Sequence, residues 1–291
     1  MRGLTLSLAA LSLAGCASSD SAGSKVSQAS LRSALTLHAS FDHGLNADFA
    51  KGDPTLRRST SMAKRTEWVA GLPVSGEVVL AKGEGITGDA LRFVRKESPV
   101  LHFAAQDNVA WNPTNWSGTV SFWLRLDPEE DLEPGYTDPI QLTPRAWDDA
   151  AFFTEFAKDG DPRHFRLGAY ADFKVWNPSK RNWDTMPWEE KPLVSVKAPP
   201  FGRDRWTHVA FSWENFNTRK TNGVAYLYLN GQPQGEISPR EQTFTWDTSK
   251  AAVMLGLSYI GLWDELSIFS RRLTDAEVQA LSRSPSLLRA K

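Results

Sequence analysis

From Leu35 onward the chain is a succession of short apolar runs separated by Gly, Pro, Asn and Asp. The clearest run is Gly118–Leu126, in which Val120, Phe122, Leu124 and Leu126 fall on one side and Ser121 and Arg125 on the other. A repeat of two residues marks a strand with one buried face. Comparable runs are Leu35–Phe41, Ala90–Val94, Val100–Phe103, Phe165–Tyr170, Trp206–Trp213, Val224–Leu229 and Ile260–Phe269. Asn230-Gly231 follows Tyr226–Leu229 and predicts a tight hairpin, because both residues tolerate positive φ. Many short strands with regular turn signals predict an all-β, two-sheet antiparallel sandwich. One helix is predicted late in the chain. Thr274-Asp275-Ala276-Glu277 has the form of a capping box, Val278 and Leu281 supply an apolar stripe, and Ser284-Pro285 ends it.

The start of the chain reads differently. Arg2 is followed by an apolar stretch, Leu4–Leu13, that is too short to span a bilayer as a stable helix. It ends in Leu13-Ala14-Gly15-Cys16, which resembles the lipobox of bacterial lipoproteins. That resemblance implies a leader over residues 1–15 and fatty acylation, including palmitate, of Cys16 as the first mature residue. It implies a lipid-anchored protein of the cell envelope. Ala17 rather than aspartate after the cysteine favours the outer membrane, by resemblance to the sorting rule of Gram-negative bacteria. An ordinary leader that happens to contain a cysteine is the alternative. Residues 16–33 are read as the lipidated cysteine and a flexible tether, since the Ser-, Ala- and Gly-rich stretch Ala17–Gln28 cannot bury a core.

Composition narrows the function classes. The chain has 291 residues, 41% of them hydrophobic and 23% charged, which suits one large all-β domain. The net charge of −1 and the lack of a long basic run argue against a nucleic-acid partner. One cysteine excludes an intramolecular disulfide, and no Cys/His cluster has zinc spacing. The 12 tryptophans are the unusual figure, being either core or flat faces for a ligand.

Four segments together resemble the laminin-G-like jelly rolls of the concanavalin A-like lectin and glucanase superfamily. They are Leu37–Asp42, Gly118–Leu126 with Trp123, Trp206–Phe211 followed by Ala225–Gly231, and Ile260–Phe269 followed by Arg272-Leu273-Thr274 and the late helix. The likeness runs from about Leu35 to Leu281, giving a domain over 34–284 and a tail over 285–291. It implies two antiparallel sheets, one concave, with the first and last strands adjacent. Asp127–Pro200 is longer and less regular than the family pattern and is expected to carry elaborated loops. The resemblance also implies one structural Ca2+ where the chain ends meet. Its matching positions are Asp264 in the last strand, the turn at Phe41-Asp42, and Gly88. Calcium accepts such carboxylate and carbonyl oxygens in flexible geometry. The competing role for Asp264 is to cap a turn or accept a backbone amide.

The candidate ligand surface is aromatic. Trp147, Tyr170, Trp176, Asn177, Arg181, Trp183 and Trp188 fall in or beside polar, Pro- and Asn-rich loops. Sugars stack their C–H faces on indole rings while amides and charges read their hydroxyls. The competing reading is that these rings anchor long loops to the sandwich. Catalysis ranks lower: retaining glycosidases need paired carboxylates, and no Glu-x-Asp-x-x-Glu array occurs. Glu129-Glu130-Asp131 with Glu133, and Glu189-Glu190, read as solvated acidic faces, His208 as structural and His43 as a turn residue. The expectation is a non-catalytic, membrane-anchored binding module for a polysaccharide or glycoprotein glycan. An envelope protein-interaction role, or less readily a glycosidase or lyase, is the alternative.

Overall fold

The computed structural model describes residues 26–96 and 99–289. The leader over 1–15, Cys16 and the tether up to residue 25 lie outside the described residues. Two antiparallel sheets face each other. In spatial order the first contains Gln232–Arg240 (β15), Gly223–Leu229 (β14), Thr207–Phe216 (β13), Trp116–Arg125 (β8), Gly261–Phe269 (β17), Leu35–Ala39 (β1) and Phe49–Ala50 (β2). Ala90–Phe93 (β6) also pairs β17, and Val78–Ala81 (β5) pairs β6. The second contains Leu193–Val196 (β12), Arg163–Tyr170 (β11), Ala151–Gly160 (β10), Thr137–Thr143 (β9), Ala252–Leu257 (β16), Val100–Ala104 (β7), Arg57–Ser59 (β3) and Val69–Ala70 (β4). The first and last strands of the domain, β1 and β17, are neighbours, as the resemblance implied.

The two-residue alternation of the sequence is what builds the core. Val120, Phe122 and Leu124 of β8 meet Val209 and Phe211 of β13 and Phe152 and Leu167 from the facing sheet in one cluster. Trp116, Trp213, Trp246 and Trp263 are buried there, and Trp123 is buried on the other face of β8 against His208. Trp116 sits 5.0 Å from Trp213 and 4.8 Å from Trp246 between ring centroids. Offset and edge contacts of this kind add to the burial gain. The Asn230-Gly231 turn joins β14 and β15 with φ of 50° and 74°. His208, on the outward face of β13, shares a hydrogen bond with Ser121 Oγ at 2.8 Å, and burial depresses it to about 3; its role is structural.

The outward face of the first sheet is covered by helices. Gln28–Ala34 (α1) and Asp275–Arg283 (α4), with the 3-10 turn Pro285–Leu288, bury Leu31, Val278, Leu281 and Leu288 against Ala210, Tyr228 and Phe269. The capping box is formed as predicted: Glu277 N donates to Thr274 Oγ1, and Thr274 N donates to Glu277. Two boundaries differ from the sequence reading. Residues 28–33 end the tether in a packed helix, because Leu31 finds an apolar seat. The tail is not free either, since Leu288 joins the same cluster.

The largest difference lies in Asp127–Pro200. The stretch expected to carry elaborated loops holds β9, β10, β11 and β12, four strands of the second sheet, of which the sequence pattern marks only β11. Its true irregular parts are Pro128–Asp131 (α2), the turn around Trp147, and 171–192 with Phe173–Trp176 (α3) and two 3-10 turns. Among the described residues no helix is long and apolar enough to cross a membrane.

Candidate functional site

The outward face of the second sheet carries the candidate site. In β10, Phe152 and Phe156 point into the core, so Phe153 and Glu155 point out; in β11, Phe165, Leu167 and Ala169 point in, so Arg166 and Tyr170 point out. Gly168 lies opposite Phe153 and leaves room for its ring. These outward residues, with Tyr136, Asp138, Trp147, Lys158, Trp183 and Asp184, line a cavity of 460 Å3. That volume falls within the range of about 300–1,000 Å3 typical of small-ligand sites.

The walls are aromatic. Phe153 stacks on Tyr170 at 5.3 Å with 12° between planes, and Trp147 meets Tyr170 edge-on at 6.0 Å. Trp183 tilts against Tyr170 at 5.6 Å, carries Lys191 4.5 Å from its ring centroid, and remains half-buried. Trp147 is 53% exposed, so its ring is available to a ligand rather than spent on packing.

The floor is charged. Glu155 and Arg166 are direct cross-strand partners, joined at 2.7 Å and both nearly buried. Between β9 and β10 the register slips, Thr154 pairing Ile140 and Phe156 pairing Thr137, so Asp138 and Pro139 together oppose Glu155. Bulges of this kind re-aim a side chain, and this one places Asp138 on the cavity side beside Glu155. Burial pushes the Glu155 carboxyl up to about 7 against the pull of Arg166. Burial and the charge of Glu155 push Asp138 well above the usual carboxylate range. Nearby Gln141 is buried with neither amide atom hydrogen-bonded among the described residues.

Of the seven residues proposed from sequence, the fold brings three into the cavity: Trp147, Tyr170 and Trp183. Trp176 stands behind them. Its ring packs on Tyr170 at 4.8 Å and its Nε1 donates to the Asp148 carbonyl at 2.8 Å, which is the anchoring role. Asn177 is a buried loop pin, accepting from Arg181 N at 2.9 Å and donating to Arg181 O at 3.0 Å. Arg181 is exposed and paired with Glu190. Trp188, 50% exposed, does not line the cavity. The sequence reading missed Asp138, Glu155 and Arg166. A signal was present for Glu155: an acid set between phenylalanines in Phe152-Phe153-Thr154-Glu155-Phe156 is unusual for a strand.

The strand junction expected to hold calcium is arranged otherwise. Phe41, at φ 60°, is buried against Trp263, and Gly88 packs directly on the Asp42 carboxylate. Asp264 accepts Glu265 N at 2.8 Å and Ile86 N at 2.9 Å, one on each oxygen. Asp42 Oδ1 accepts Asp89 N at 2.6 Å, and its Oδ2 meets the guanidinium of Arg289. Arg289 also donates from Nε to Glu265 at 2.9 Å and from Nη2 to the Thr87 carbonyl at 2.8 Å. Among the described residues no group of three or more His, Cys, Asp or Glu is placed to hold a metal. The residues present do not fit a calcium ion, which takes six to eight oxygens. The backbone amides engage Asp264, and the positive charge at the junction is Arg289.

A two-sheet jelly roll with a lined cavity on one outward face defines the class of protein. The chain belongs to the concanavalin A-like lectin/glucanases superfamily, whose Laminin_G_3 model matches residues 102–279. A search of curated protein sequences finds no significant match. Among solved structures the chain is similar to domain 4 of AbnA, an extracellular GH43 arabinanase from Geobacillus stearothermophilus, solved with arabinotriose. Identity is 20% and the TM-score 0.52, over 86% of this chain and 98% of that one. It is also similar to the binding domain of Paraclostridial Mosquitocidal Protein 1, at 14% identity and TM-score 0.50, over 88% of this chain and 53% of that one.

Proposed function

We propose that this protein is a glycan-binding module, held at the cell envelope by acyl chains on Cys16. The observation that carries the binding reading is the cavity itself: exposed Trp147, half-buried Trp183 and the Phe153–Tyr170 stack stand over a floor of Asp138, Glu155 and Arg166. Indole and phenyl faces suit the apolar side of a sugar ring, and the charged floor suits its polar groups. A domain of the same fold solved with arabinotriose supports the reading. The anchor reading draws on the leader and on direction. The residues nearest the tether, α1, lie on the outward face of the first sheet, and the cavity opens on the outward face of the second. A tether from Cys16 would therefore present the cavity away from the membrane, in keeping with outer-membrane display.

A glycan array followed by isothermal titration tests the binding reading. The Trp147→Ala/Trp183→Ala variant is expected to lose at least about tenfold in affinity, and Trp188→Ala to change little. Unchanged binding in the double variant removes this surface. Cys16→Ser is expected to lose both fatty-acid label and membrane fractionation, and retention of either removes the anchor. A hydrolytic reading rests on one observation, the cross-strand neighbours Asp138 and Glu155. Release of reducing ends that stops in Glu155→Gln would favour it over binding alone.

A further inference from the structure

Most charged groups around the cavity are already engaged. Glu155 is held by Arg166 at 2.7 Å. Lys158 stands 5.6 Å from the Tyr136 ring centroid and Arg166 5.2 Å from the same ring. Lys191 lies 4.5 Å from the Trp183 centroid. Asp138 differs. It is half-buried in the floor, and among the described residues no donor hydrogen-bonds its carboxylate; only burial and the charges of Glu155 and Arg166 act on it. A carboxylate withdrawn from water without a donor is stabilised by a cation brought in from outside.

The walls favour the same chemistry. Aromatic faces attract ammonium groups, and rings of this cavity already do so with Lys158 and Lys191. Five aromatic residues, Tyr136, Trp147, Phe153, Tyr170 and Trp183, surround the space above Asp138. An acidic sugar is disfavoured, because the lining holds three acidic side chains (Asp138, Glu155, Asp184) and its two cations are already engaged, Arg166 by Glu155 and Lys158 by the Tyr136 ring. We infer that the cavity takes a saccharide bearing a free, protonated amino group, with the ammonium on the Asp138 carboxylate and the sugar faces on Trp147 and Trp183. This rests on the glycan-binding reading above and narrows its ligand to the amino-sugar class.

Isothermal titration of the full chain against three β-1,4-linked trisaccharides of one ring shape separates the cases. The three are built from glucosamine, N-acetylglucosamine and glucose, at a pH that keeps the sugar amines protonated. The glucosamine trimer is expected to bind at least about tenfold more tightly than the glucose trimer, the contribution of one charge-assisted hydrogen bond. Asp138→Asn, close in shape and checked for an unchanged melting profile, is expected to bring that ratio towards one. Equal affinities for the three trimers, or a preference that survives in Asp138→Asn, overturn the amino-sugar inference while the glycan-binding reading stands. No binding of any trimer, with an empty glycan array, overturns both.

Discussion

Gly168→Ala is the substitution that couples core packing to the cavity most directly. Gly168 lies across from Phe153 between β11 and β10. A Cβ at that position would stand 2.4 Å from Phe153 Cζ and 2.8 Å from both Cε atoms. Ordinary carbon contacts are about 3.5–4.0 Å, so the ring must move outward by about 1 Å or more. The outward direction is the cavity, where the ring stacks on Tyr170. Overpacking of this size costs about 1–3 kcal/mol. For a domain of this length each kcal/mol shifts Tm by about 2–4 °C, so a fall of about 2–12 °C is expected in a thermal melt. Ligand affinity should fall with it, because the displaced ring fills part of the 460 Å3. Phe153→Leu removes the colliding ring atoms, so the double variant should be more stable than the sum of the two single changes. If Gly168→Ala melts with the wild type and binds as well, the Phe153 ring is not seated over this glycine and the wall is wrongly described.

Four further outcomes follow from other contacts. Burial raises Glu155 from 4.5 to about 7, so the folded state binds the extra proton between those values. The stability from this group is therefore fully present below pH 4.5 and is lost as pH rises through 7, by at most about 3 kcal/mol. Denaturant melts of wild type and Glu155→Gln should differ by an amount that falls across that window, and a constant difference would contradict the burial. Arg289→Gln leaves the Asp42 and Glu265 carboxylates together without their cation; a loss of about 3 kcal/mol is expected by chemical denaturation. The wild-type Tm should not move on adding a chelator, and a fall restored by calcium would show that Arg289 is not the resident cation. Thr274→Ala removes one half of the capping box of α4 and should cost about 1 kcal/mol, with no change in ligand affinity, since α4 covers the opposite sheet.

What the sequence by itself determined is the part of the structure recorded locally. β8, β13, β14 and β17 were legible because the positions each turns to the core are apolar and recur at about every second residue, which is a pattern on neighbouring positions. The Asn230-Gly231 turn and the Thr274–Glu277 cap were legible because each is completed within four residues. β10 was not, because Phe152 faces the core and Phe153 the cavity, which erases the alternation. β15 was not, because an edge strand such as Gln232–Arg240 is mostly exposed and tolerates Pro and Gly. The aromatic half of the site could be suspected, since Trp147, Tyr170 and Trp183 are costly residues to place in polar loops. Its charged half could not, because Asp138, Glu155 and Arg166 become neighbours only through the register of three strands and one bulge. The same holds at the chain junction. Asp264 was visible as an acid in a strand, but that backbone amides take its oxygens while Arg289 answers its neighbours Asp42 and Glu265 was not, because Arg289 is brought back 24 residues after Glu265 by the packing of Leu288. Alternation, turns and caps are properties of a stretch of chain; which acid meets which base is decided by strands pairing across the sheet, and only the tertiary structure holds that.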